Sequence, residues 1–259
     1  MYRILSNSRT GVRAQETKVN SLADDLANLQ TYGYKKKEIG FQELITNEIH
    51  HHDVLKSDNV DHSRINVGTK AGVATVNFQQ GILVPSESDF NLAIEGSGFF
   101  GLLDQDGNLI LTRNGGFQLN EDNSVSDDNG RLLVIDLEIS KENWATGPVS
   151  ISHDGRITQE IDNENRVLGK VVLFEPHVLD SLAPLGESGY LPAADVELYS
   201  SMENPERFGK IIQRHLEASN VEMSRTMTDL IVAQRAHAMN IKAIQSTDEI
   251  MNMINGIKR

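Results

Sequence analysis

Leu216-Glu217-Ala218-Ser219-Asn220-Val221-Glu222-Met223 opens a stretch in which Leu216, Met223, Leu230, His237, Ile244 and Met251 recur every seven residues, flanked by Met227, Ile241 and Ile254. Such spacing lays them on one narrow stripe of an α-helix. No Pro or Gly interrupts the pattern between Lys210 and Asn255, so one helix is expected from about Pro205 to Ile254. At about 1.5 Å per residue it would run about 75 Å. A single domain of this size cannot bury a helix of that length.

The other end of the chain repeats the spacing. Leu5, Val12, Val19 and Leu26 form one row, with Gln15, Leu22 and Leu29 in the row between. A helix is expected from about Tyr2 to Tyr32. Gly33, in Tyr32-Gly33-Tyr34, can take the left-handed conformation that ends it, and Lys35-Lys36-Lys37 then lies near the negative end of the helix dipole.

Between the ends the texture changes to short strand-like runs: 72–78, 92–95, 99–103 and 109–112. Asp106-Gly107, Asn114-Gly115, Asn129-Gly130 and Asp154-Gly155 are hairpin-type turn signals. The expected fold is α+β, in which long N- and C-terminal helices pair as a coiled coil beside a central β-rich domain. The expected segments are an N-terminal helix and turn at 1–40, an extended connector at 41–67, the β-rich domain at 68–192, a return linker at 193–204 and the C-terminal helix at 205–259.

Charge divides along the same lines. The net charge of −13 is the balance of about +3 over 1–40, −18 over 41–203 and +2 over 204–259. An acidic surface disfavours nucleic acid, whose affinity comes from neutralising phosphates with Lys and Arg. Absent cysteine removes disulfides, thiolate metal sites and cysteine nucleophiles. No apolar run is long enough to span a bilayer, and Met1-Tyr2-Arg3-Ile4-Leu5-Ser6 lacks the apolar stretch of a cleavable secretory signal.

Heptad-patterned helices at both chain ends, each with a narrow apolar face, would pair and still leave surface uncovered. Pattern alone leaves open an intramolecular hairpin packed on the sheet and lateral contacts with other copies.

Three ordered blocks bear on that choice. Asp25-Leu26-Ala27-Asn28-Leu29-Gln30-Thr31-Tyr32-Gly33-Tyr34-Lys35-Lys36 resembles the N-terminal signature of the flagellar rod and hook proteins, with Asp25, Gln30 and Tyr32 departing from the usual residues. The C-terminal block is similar almost position by position: Leu216 to Met223, then Ala233-Gln234-Arg235-Ala236, Asn240, Lys242 to Gln245 and Thr247 to Ile250, with His237 and Ile250 as substitutions. Asn91 to Phe100 and Thr112-Arg113-Asn114-Gly115-Gly116-Phe117 resemble the rod family's central β domain. With the length, they point to the distal rod branch, and the proximal rod branch is the alternative.

The resemblance implies a structural subunit, not an enzyme, exported through the flagellar type III apparatus without cleavage into the basal-body rod. It implies self-association into a helical polymer that transmits torque from motor to hook, beside neighbouring rod, hook or hook-junction proteins and ring bushing proteins. It needs no cofactor, no nucleic acid and no membrane insertion. The connector after Phe41 resembles the extended region that packs on adjacent subunits. The expected interface residues are Leu22, Leu26, Asn28, Leu29 and Gly33 with Leu216, Asn220, Met223, Met227, Leu230, Gln234, His237, Ile241, Ile244 and Met251. Within it, Leu22, Leu26 and Leu29 meet Met223, Leu230, Ile241 and Ile244, and Asn28 and Asn220 set register. The terminal helices are expected to order on assembly, because burial of an apolar face supplies most helical stability.

A helix-tethered β module acting as an extracellular scaffold or adhesin shares the architecture but has no reason to carry both terminal motifs. Other chemistry is thinly supported. His50-His51-His52, Asp53 and His62 read as a solvated connector rather than a zinc site, since consecutive histidines rarely converge on one ion. Glu121, Asp122, Asp127 and Asp128 lack the regular spacing of a calcium loop. Gly96-Ser97-Gly98 has no phosphate-loop Lys, and His153-Asp154-Gly155 reads as a turn.

Overall fold

The computed structural model describes residues 2–44, 47–48, 64–65, 68–140, 144, 147–161, 164–193 and 196–257. The chain divides into two units, one made of 1–27, 37–76 and 221–259, the other of 28–36 and 77–220.

The first unit holds the helices α1 (Tyr2–Ala27) and α2 (Met223–Ile257), packed against each other. The first intrahelical bond of α2 runs from Thr226 N to Glu222 O, which puts the Glu222 carboxylate at the positive end of the helix dipole. The buried row of α2 is Thr226, Ala233 and Thr247, with Asn240 half-buried on the same heptad position. These side chains are small or polar. Gly11 of α1 meets that row, since a Cβ there would lie 3.1 Å from Asn240 Nδ2. Small residues on the contact line let the two axes approach closely.

Short antiparallel pairs complete this unit: Lys37–Glu38 with Thr75–Val76, Phe41–Glu43 with Thr69–Ala71, and Asn47–Glu48 with Arg64–Ile65. The stretch expected to be an extended connector is therefore partly a ladder of strands. His50, His51, His52 and His62 lie outside the described residues.

The second unit is antiparallel β throughout. Its larger sheet centres on Phe99–Leu103, flanked by Leu109–Thr112 and Leu132–Leu133, and extends through Gly189–Pro192 to Leu182–Gly186 at one end. A four-stranded sheet runs Ile135–Leu137, Glu164–Val171, Arg156–Ile161, Val149–Ile151. Leu92, Ile94, Phe100, Ile110, Phe117, Ile157, Leu168 and Ile211 form the dry centre of one core. Phe100 and Phe117 meet edge-to-face at 5.2 Å between centroids. The Gly107, Gly130 and Gly155 turns all have positive φ, as their Asp-Gly and Asn-Gly pairs predict. Gly115 serves differently, because a Cβ there would fall 1.6 Å from Leu92 O. It lets two backbones touch.

The helices are shorter than the heptad spacing predicts. α2 begins at Met223, not near Pro205, because Lys210–Gln213 pairs with Leu92–Glu95 and His215–Glu217 pairs with Leu83–Pro85. Arg214, at φ 58°, turns the chain between these two strands. Leu216 thus sits in a strand, and the β-rich unit continues past 192 through Leu198–Ser200 to Asn220. α1 ends at Ala27 rather than Tyr32. There Thr31 N donates to Asn28 O, and Thr31 Oγ1 donates to Asn28 Oδ1 at 3.2 Å, an alternative to continued helix. No described helix is long and apolar enough to cross a membrane.

Candidate functional site

The second unit contains a buried ion triad built from three distant parts of the chain. Lys35 Nζ lies 2.5 Å from Glu217 Oε1, and Arg113 Nη1 lies 3.3 Å from Glu217 Oε2. The Lys35 and Glu217 side chains are 1% and 0% exposed. Backbone groups complete their coordination. Gly81 N donates to Glu217 Oε1 at 2.8 Å, Lys35 Nζ donates to Gln79 O at 2.7 Å, and Arg113 Nη2 donates to Gly96 O at 2.8 Å. Burial pushes the Lys35 ammonium below its usual range, partly offset by Glu217, and acts in the same direction on Arg113.

Two further contacts hold the same crossing. Gly33 N donates to Glu217 O at 2.7 Å, and the positive φ of Gly33 brings its backbone against Asn114, where a Cβ would lie 2.2 Å from the amide nitrogen. Asn220 accepts from Lys36 N at 2.8 Å and donates to Asn77 O and Gln79 O at 2.8 and 3.0 Å. Arg113 stacks over Phe99, which packs edge-on to Phe78 and Tyr190. Burial and the Glu217 carboxylate push the Tyr190 hydroxyl pKa up.

The residues expected at the interface therefore separate. Gly33, Leu216 and Asn220 belong to this crossing, with Asn28 and Leu29 half-buried in the turn that leads to it. In the helical unit Leu22 is buried, while Leu26, Leu230, His237, Ile244 and Met251 are half-buried. Met223, Met227, Gln234 and Ile241 face solvent. Lys35, Arg113 and Glu217 were not anticipated as a group. The signal for them was weak: each sits in one of the three motif blocks, but Asp25, Lys36 and Glu222 lie in the same blocks, so charge alone does not single them out.

The chemistry of this centre is structural. All three ionic groups are buried and bonded to one another and to backbone, while Arg113 Nε has no hydrogen-bond partner among the described residues. Among the described residues no group of His, Asp or Glu is placed to hold a metal ion. Asp122 accepts from Ser124, and Asp127 accepts from Asn129 and Arg131, so these acids cap hairpin turns. The carbonyl of His153 accepts from Ile211 N within the β unit.

Residues 93–159 match the family described as flagellar hook protein FlgE/F/G D1 domain, and residues 212–257 match flagellar basal body rod FlgEFG protein C-terminal. A flagellar basal-body rod protein FlgG of Buchnera aphidicola subsp. Baizongia pistaciae is 31% identical over 258 residues, spanning 96% of each chain. The chain belongs to the flagellar basal-body rod protein family. The rod protein FlgG of Borreliella burgdorferi is 28% identical across the whole of both chains, and the flagellar hook-basal body complex protein FlhP of Bacillus subtilis is 25% identical across the whole of both. This rod family consists of structural subunits, not enzymes. Its C-terminal match takes in both Glu217 and Asn220, and its D1 match takes in Arg113, so the triad lies largely inside the regions the family defines.

Proposed function

We propose that this chain is a subunit of the distal flagellar rod, a helical homopolymer that carries torque from motor to hook. The observation that carries this reading is the outward side of α2, where Met223, Met227, Ile231, Val232 and Met239 are exposed. Covering each would contribute about 1.5–3 kcal/mol, so neighbouring helices gain by packing there. An interface between unlike surfaces of successive copies generates an open helical polymer.

In this reading α1 and α2 form the inner, coiled-coil layer, and the seam expected between Leu22, Leu26, Leu29 and Met223, Leu230, Ile241, Ile244 is completed between copies. Full-length similarity to proteins named for the basal-body rod supports the location, and the length and block order support the distal position over the proximal one. Passage through the type III export apparatus, contact with rod and hook neighbours and enclosure by ring bushing proteins belong to the same proposal. So does ordering of the helices on assembly, read as a gain in circular dichroism at helical wavelengths.

Electron microscopy of isolated basal bodies, with gold-tagged antibody to the β unit, tests it. Label is expected on the shaft between motor and hook. Intact shafts without label, with antigen elsewhere in the envelope, would overturn it in favour of an extracellular scaffold.

A further inference from the structure

The methionines of this chain are distributed unevenly. After Met1 none occurs before Met202, yet Met223, Met227, Met239, Met251 and Met253 all fall in α2. Met223, Met227, Met239 and Met253 are 49%, 39%, 65% and 62% exposed, while Met251 is half-buried. At about 100° per residue, those four occupy an arc of about 160° on the side opposite Thr226, Ala233 and Thr247. They interleave with Ile231, Val232 and Ile241, which are also exposed. The chain has no cysteine, so these thioethers are its most readily oxidised accessible groups.

We propose that these four methionines are an oxidation site that decides whether a free subunit can join the polymer. The proposal rests on the assembly reading above. Hydrogen peroxide transfers one oxygen to Sδ: a sulfur lone pair attacks one peroxide oxygen, the O–O bond breaks, the departing hydroxide takes the proton from the resulting S–OH group, and sulfur, oxidised by two electrons, is left as the sulfoxide while water leaves. Each event replaces a flexible apolar group with a polar sulfoxide. Four sulfoxides on one arc turn the face that neighbouring copies must dry into one that holds water. In an assembled subunit the same sulfur atoms are covered and protected. The device acts before incorporation, is graded by the number of residues oxidised and is reversible by sulfoxide reduction.

The test has two arms. Purified full-length chain and isolated rods are exposed to hydrogen peroxide, and sulfoxide at each methionine is followed by peptide mass spectrometry. Oxidation at the four positions is expected to be slower in rods by about tenfold or more, as burial against oxidant requires. Equal rates in both forms would overturn the proposal. In cells, the natural copy is replaced by a variant carrying M223L, M227L, M239L and M253L, or by one with Gln at the same positions as a sulfoxide mimic. The Leu variant is expected to swim and to resist peroxide, and the Gln variant to export subunits that do not assemble. Equal swimming by both variants, or loss in both, would overturn it. Absence of the unaltered chain from isolated rods would instead remove the assembly reading itself, a separate and recognisable failure.

Discussion

Lys35 and Glu217, separated by 182 positions in sequence, form a fully enclosed ion pair. Lys35 follows α1 after a short turn, and Glu217 precedes α2 by a few residues, so the pair ties together the chain segments that lead out of one helix and into the other. Arg113 adds a strand of the β sheet to the same carboxylate.

Glu217→Gln keeps the shape of the side chain but leaves two buried cations without their counter-charge. A loss of about 3–5 kcal/mol is expected, since removing one partner of a buried pair strands the other. Urea unfolding of the purified chain measures it. An unchanged midpoint would show that Lys35 and Arg113 find other acceptors.

Gly33→Ala combines a positive φ of 68° with a Cβ only 2.2 Å from Asn114 N. Backbone strain alone costs about 1–3 kcal/mol, and the collision adds to it. Gly107→Ala is the control, because its φ is also positive, at 79°, but its surroundings are open. The thermal midpoint should fall further for Gly33→Ala than for Gly107→Ala, and equal losses would count against the close approach.

Much of the helical unit was legible in the sequence, and most of the triad was not. The heptad spacing from Met223 to Met251 reports local geometry, which is why it located α2. The same spacing placed Leu216 on the helix, whereas the chain there hydrogen-bonds to Val84, a partner far away in sequence that no local period can reveal. Gly33 was readable as a helix-ending turn because positive φ is a local property. Lys35, by contrast, read only as one of three lysines near the negative end of a helix dipole. Its burial depends on Glu217 and on the Gln79 carbonyl, and only the folded sheet brings these together.

Tyr190 sets an alkaline limit. Its raised pKa means that the unfolded chain loses the phenolic proton first, near 10.0, while the folded chain holds it. The contribution is complete below pH 10.0 and is lost as pH rises toward the higher folded value. Tyr190→Phe should therefore flatten the fall in stability above that pH, as followed by urea midpoints across the alkaline range. An unaltered slope would assign the fall to other groups.

Asn220→Ala removes the acceptor for Lys36 N and the donor to Asn77 O and Gln79 O. A loss of about 2–3 kcal/mol is expected, because partly buried backbone groups are left unpaired. Hydrogen exchange should show faster exchange at the Lys36 amide. Protection equal to that of the natural chain would mean that water replaces the side chain fully.

Ile231 tests the central claim most directly. It is 51% exposed on the outward side of α2, in a chain with no cysteine, so Ile231→Cys introduces a single thiol at the face assigned to neighbouring copies. Surface substitutions of this kind change stability by about 0.5 kcal/mol or less, which leaves the free subunit intact. Alkylation is then timed in the free chain and in isolated rods. If α2 is the polymerisation surface, the thiol reacts readily in the free chain and is protected in rods. Equal reactivity in both would contradict the account and place the contacts between copies elsewhere.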